Sequence, residues 1–370
     1  MTLLSILRIR YWEDITMNMD NIRDSKKDMD VYKNYAEKAQ EKLYENYWNN
    51  ETKSVMNNFP YSPEKEEGLN YWWKAHAADA MIDGLKRTKD KRFAERAESI
   101  MENVFKRNGS LFNEFYDDEE WMALACLRLY DLTGNKKMKE YAIRLWDDIK
   151  TAWWDDEIGG MAWKKDEGRK GRNACCNGPA AILAARLYQR FHDDNDLEWA
   201  KKIYAYEREY LVDPNNGLVY DGMVVGEDKT LQINKEWLFT YNAGTYIGAG
   251  VELYRITNDN GYRMDAEKTA GGSMQHLINE YGVLKNEGTG DGGLFKGILI
   301  RYMEQLYQVN HDKKIADFIL FNAGKLALAG SNKTGLIGPV WQEAPEEPMD
   351  ITCQLSGVFL FEAAAAISDI

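Results

Sequence analysis

At 370 residues the chain can form one large domain or two ordinary ones, and 44% hydrophobic against 29% charged residues is globular usage. A net charge of −13, with no basic stripe to neutralise phosphates, argues against nucleic acid and makes anionic polysaccharides and membrane surfaces poor partners. A neutral glycan or small molecule fits that charge, and 12 Trp and 22 Tyr supply more ring faces for sugars than helical packing consumes.

Met1 to Arg10 holds a short apolar run broken by Arg8 and Arg10, without the longer apolar core of a secretion signal. No apolar run approaches the roughly 20 residues of a membrane span. The expectation is therefore a cytoplasmic protein with reduced thiols. Residues 1–28 are polar and are expected to form a loose arm, with 29–370 as a single domain.

From there the chain repeats a helical hairpin. Five segments, starting at Asp83, Leu127, Ala185, Val251 and Met303, run from an apolar helix through a polar turn to an amphipathic helix. A Leu-Tyr pair closes the first helix at Leu129-Tyr130, Leu187-Tyr188, Leu253-Tyr254 and Leu306-Tyr307, with spacings of 58, 66 and 53 residues. Those spacings suit two helices plus a long loop. Turns such as Thr133-Gly134-Asn135 end one helix and start the next.

Helices rich in alanine and glycine are predicted over 71–86, 117–132, 173–190, 241–257, 293–309 and 351–367. Small residues allow packing on all sides, as an inner ring requires. More charged, one-sided helices over 31–47, 90–106, 136–150, 197–210, 262–280 and 313–328 read as an outer ring. Six of each predict a closed all-α toroid, an (α/α)6 barrel. An open solenoid would end in polar caps, whereas the last helix here is apolar. Extended stretches are few, Gly217 to Val225 being one.

Only four cysteines (Cys126, Cys175, Cys176, Cys353) and four scattered histidines are present. The vicinal pair suits neither an ordinary disulfide nor a zinc motif, so no metal or cofactor is expected. The acidic run Asp117-Asp118-Glu119-Glu120 opens the second inner helix. An acidic first turn suits a helix start without any chemistry. It also places two carboxyl groups side by side at the barrel mouth. Neighbouring Cα atoms lie about 3.8 Å apart, which brings the carboxyls within reach of the 5–5.5 Å of retaining glycosidases. Mutual repulsion keeps one of two close carboxyls protonated, while the helix start opposes this, so the proton's owner stays open.

Phe115-Tyr116-Asp117-Asp118-Glu119-Glu120-Trp121, with Leu124-Ala125 after it, resembles glycoside hydrolase family 76, the α-1,6-mannanases. Four further segments resemble it in the family's order: 159–163, 217–222, 240–244 and 293–298. The resemblance covers roughly 30–367 and implies an (α/α)6 barrel and a retaining mechanism. Asp117 would be the nucleophile and Asp118 the acid/base. Met122 departs from the pattern, which usually shows a second Trp after Trp121. The absent secretion signal is a second departure and fits an enzyme trimming imported oligosaccharides.

Tyr116 and Trp121 flank the pair and are expected at the sugar site, together with the loop residue Trp163 and with Asp221 between its glycines. Tyr241 and Asn242 begin the fourth inner helix; Phe295 and Lys296 begin the fifth, with Lys296 expected to reach the cleft. Asn177, like Trp72 and Trp73, sits at an inner-helix start, where packing is the competing role. Two other classes fit the same fold. An unsaturated-uronyl hydrolase would need a basic subsite, and an epimerase would need histidine bases, for which His76 is the one candidate. A non-catalytic glycan-binding protein would bind manno-oligosaccharides without product.

Overall fold

The computed structural model describes residues 26–165, 171–226 and 228–368, so the expected N-terminal arm lies, up to residue 25, outside the described residues. Twelve long helices are present among the described residues: α1 (Lys26–Tyr47), α2 (Tyr71–Thr88), α3 (Lys91–Asn108), α4 (Tyr116–Thr133), α5 (Lys136–Ile149), α6 (Ala174–Phe191), α7 (Asp194–Tyr210), α8 (Thr240–Thr257), α9 (Asn260–His276), α10 (Gly292–Asn310), α11 (Lys313–Ala329) and α12 (Ile351–Ser368). The even-numbered helices pack each against the next, and α12 packs on both α10 and α2, so the inner ring closes. The odd-numbered helices surround it. This is the (α/α)6 toroid.

One turn design builds five of the hairpins. Each inner helix ends on a left-handed residue (Lys89, Gly134, His192, Asn258 and His311, φ from 52° to 71°) whose N–H bonds back to the helix. The next residue, Asp90, Asn135, Asp193, Asp259 or Asp312, caps the outer helix with its side chain. The Leu-Tyr signature has its explanation here. The leucines are buried, and the carbonyls of Tyr130, Tyr188, Tyr254 and Tyr307 receive the closing bonds.

Because the tight turns gather at the C-terminal ends of the inner helices, the inner N-termini gather at the opposite mouth. There α2, α4, α6, α8 and α10 start without a side-chain bond from their own N-cap residue, and their positive dipole ends gather at the opening; at α8 the Glu287 carboxylate takes the Thr240 N–H at 2.9 Å. Small residues let the ring tighten. A Cβ on Gly244 would lie 2.8 Å from Leu299 Cα, and one on Gly297 would lie 2.6 Å from Ser356 Cα. Deeper in the ring, Asp83 on α2 takes Arg128 Nη2 and Arg301 Nη2, each at 2.6 Å. Burial raises its carboxyl, but the two guanidinium groups outweigh this and hold it at about 2. Helix α12 is apolar enough to resemble a membrane span, with mean hydropathy 1.5, yet 89% of it is buried; it is a core helix.

Short antiparallel ladders decorate the mouth: β1 (Trp48–Asn49) with β2 (Ser54–Val55), and β3 (Asn58–Phe59) with β7 (Met349–Asp350). A third sheet joins β4 (Gly171–Asn173), β5 (Gly222–Val225) and β6 (Leu231–Ile233), registering Asn173 against Gly222 and Met223 against Ile233. The extended stretch expected from Gly217 is thus a strand only from Gly222. Before it runs a turn in which Gly217 has φ 75°.

Candidate active site

The extended residue Phe115 feeds into α4, and the Tyr116 N–H bonds to the Trp163 carbonyl at 3.1 Å. This ties the loop around Trp163 over the start of α4. Beneath it Asp117 and Asp118 lie on the floor of an open cleft of about 780 Å³. Trp163, 43% exposed, donates from Nε1 to Asp117 Oδ2 at 3.3 Å. The other oxygen, Oδ1, is buried and has no hydrogen-bond partner. The acidic run divides in two. Asp117 and Asp118 face the cleft, whereas fully buried Glu119 accepts from the Asn113 N–H at 2.6 Å and Lys165 Nζ at 2.5 Å. Glu120 is also fully buried, and neither of its oxygens has a partner.

Burial raises both cleft carboxyls, but not equally. For Asp117 the Trp163 N–H and backbone N–H groups offset part of the burial effect. For Asp118 the negative charges of Asp117 and Asp291 add to burial and lift it well above the usual range. The environment therefore favours the proton on Asp118.

The walls are aromatic: Trp72, Trp121, Trp163, Trp237, Tyr241 and Phe295 line the cleft, the last two stacked with centroids 4.0 Å apart. Asp221 lines it too, its Oδ1 taking Asn242 Nδ2 at 3.0 Å and Tyr241 Oη at 3.4 Å. Asp291 Oδ1 accepts from both Trp72 Nε1 (3.1 Å) and Trp73 Nε1 (2.7 Å). Among the described residues the lining includes Glu114, Asp117, Asp118, Asp221 and Asp291, and no Lys or Arg.

Four expected site residues do not reach the cleft. Lys296 turns away from it and is buried, its Nζ bonded to the Pro339 carbonyl and set over the Trp341 ring. Asn177 is fully buried between the Met161 N–H and the Asn173 carbonyl. Asn242 is fully buried and acts on the cleft only by holding Asp221. Tyr116 is buried away from the cleft, its hydroxyl 3.0 Å from Thr151 Oγ1. The departure at Met122 leaves the cleft unaffected, because that side chain is fully buried and lines no part of it. His76 is packed against Trp121, with centroids 4.5 Å apart, and burial lowers it to about 3, which leaves it a neutral core group. Asp291, Cys175 and Trp237 are among the cleft residues that sequence reasoning missed. Asp291 falls in none of the segments that carry the resemblance, and the sequence speaks of Cys175 only through disulfide and zinc spacing.

A helical toroid whose mouth is an acidic, aromatic-walled cleft fits a glycoside hydrolase. Residues 31–365 match the model of glycosyl hydrolase family 76, and the chain belongs to that family. Its structure is similar to that of the GH76A alpha-1,6-mannanase from Salegentibacter sp. HEL1_6, at 43% identity and a TM-score of 0.86, covering 91% of this chain and 99% of the other. An inactive variant of that mannanase with two consecutive aspartates replaced by alanine, in complex with alpha-1,6-mannotetrose, compares with the same identity, score and coverage. Mannan endo-1,6-alpha-mannosidase DCW1 of Candida glabrata is 30% identical over 113 residues, 28% of this chain. The match spans only 24% of that curated relative's length.

Proposed function

We propose that the protein hydrolyses α-1,6-linked mannosides with retention of anomeric configuration, Asp117 acting as nucleophile and Asp118 as acid/base. The observation that carries this reading is the unequal environment of the pair. Asp118 keeps its proton through burial and the neighbouring negative charges, Asp117 and Asp291 foremost, while Asp117 receives N–H groups that favour its charged form. In the first step the Asp117 carboxylate bonds to the anomeric carbon as the Asp118 proton passes to the departing oxygen. In the second, Asp118 takes a proton from water, whose oxygen attacks the same carbon and releases Asp117.

The relatives' substrates support the linkage. The all-acidic lining supports a neutral sugar over a uronyl one, because a uronate would meet carboxylates and no cation among the described lining residues. The buried, neutral His76 offers no epimerase base. Cytoplasmic action belongs to the same proposal, and the four unbridged thiols agree with a reducing compartment. Turnover of linear α-1,6-mannotetraose by the wild type, Asp117→Asn and Asp118→Asn tests the reading. Loss in both variants is expected; wild-type rates in either would overturn the assignment.

A further inference from the structure

The first turn of α6 carries two adjacent cysteines, Cys175 lining the cleft and Cys176 fully buried behind it. Neighbouring Cα atoms about 3.8 Å apart fall short of the 4.4–6.8 Å usual for a disulfide, so Cys175 and Cys176 are not built to bridge each other. Their Sγ atoms lie 3.9 Å apart. Two thiolates bound tetrahedrally to one cation at about 2.3 Å would be about 3.8 Å apart, so the spacing is already that of a shared metal. A carboxylate oxygen of Asp117 and the two sulfurs all lie within 4.8 Å of one another. Asp117 Oδ1 is buried and unpartnered, and Cys175 lines the cleft, which gives a path from solvent.

We propose that Cys175, Cys176 and Asp117 form a site for one thiophilic divalent cation of the Zn²⁺ or Cd²⁺ class, with the fourth position open to the cleft. Two soft sulfurs and one oxygen suit such an ion, whereas Mg²⁺ and Ca²⁺ require all-oxygen cages. The site is empty. Binding replaces two S–H bonds by two metal–sulfur bonds and releases two protons to solvent, with no change of oxidation state. A cation there occupies Asp117 and blocks approach to it, making the site inhibitory. That consequence rests on Asp117 being the nucleophile; the binding does not.

The test is calorimetric titration of the full chain with Cd²⁺, alongside the ultraviolet cadmium–thiolate absorption and turnover of α-1,6-mannotetraose. One ion per chain and a thiolate band are expected. In a Cys175→Ala/Cys176→Ala variant shown to be folded by circular dichroism, the band disappears and affinity falls by more than about 100-fold, beyond the cost of an outer-sphere change. Asp117→Asn, which keeps both sulfurs, retains the band and binds at least about tenfold more weakly. Absence of the band, or an unchanged band in the double variant, overturns the site. Full occupancy with undiminished turnover overturns its inhibitory role. Expected binding in a chain that never cleaves mannosides would leave the site standing and sink the mannosidase reading instead.

Discussion

Replacing Trp163 by Phe keeps a ring on the cleft rim and removes one N–H from Asp117. The bond is 3.3 Å long and its donor is 43% exposed. Hydrogen bonds to charged groups are worth about 1.5–3 kcal/mol, and this long, partly solvated one belongs below that range, near 1 kcal/mol. At about 1.4 kcal/mol per pH unit, this raises the Asp117 pKa by about 0.7. The N–H favours the charged carboxylate, so its loss leaves Asp117 protonated up to a higher pH. If Asp117 must be ionised to attack, the acid limb of kcat/KM for mannotetraose moves up by that amount, while activity at the top of the profile changes little. A pH profile of both proteins reads this directly. An unmoved acid limb with a uniform rise in KM would refute the reasoning and reduce Trp163 to a stacking platform.

Asp291→Asn keeps an acceptor for the two indoles but removes a charge that raises Asp118. The alkaline limb of kcat/KM should therefore move to lower pH, and an unchanged limb would show that this charge is screened from the pair. Glu207, fully buried with both oxygens unpartnered, is held protonated by burial well above its unfolded value of about 4.3. Above that pH the unfolded chain ionises and the folded one does not, so wild-type stability falls as pH rises. Glu207→Gln should raise Tm at pH 8 and leave it nearly unchanged at pH 4; equal effects at both would contradict the buried neutral acid. Gly244→Ala forces a Cβ to 2.8 Å from the backbone of α10 and should cost about 1–3 kcal/mol, read as a lower urea midpoint with an unchanged slope.

The helices and their two rings were legible because the repeat wrote them several times over. Each hairpin carries its own left-handed stop and Asp or Asn cap, and the inner faces are marked by Ala and Gly. Individual side chains were harder, for a geometric reason. Successive helical residues point about 100° apart, so two neighbours named by one motif need not both face the cleft. Phe295 lines it and Lys296 turns to Pro339; Trp121 lines it and Met122 does not. The motif alone does not carry that rotation. The three-stranded sheet escaped notice because strands of three or four residues are too short to show alternation. The proton's owner was likewise hidden, since part of what separates the pair comes from the Asp291 charge on Asp118 and the Trp163 N–H on Asp117, both distant in the chain.

Proton NMR of α-1,6-mannotetraose hydrolysis, followed from the first turnover, tests the central claim most directly. The newly released reducing end is expected to appear first as the α-anomer, and Asp117→Asn to release none. A β-anomer appearing first, or an Asp117→Asn variant with wild-type turnover, would contradict a double displacement through Asp117.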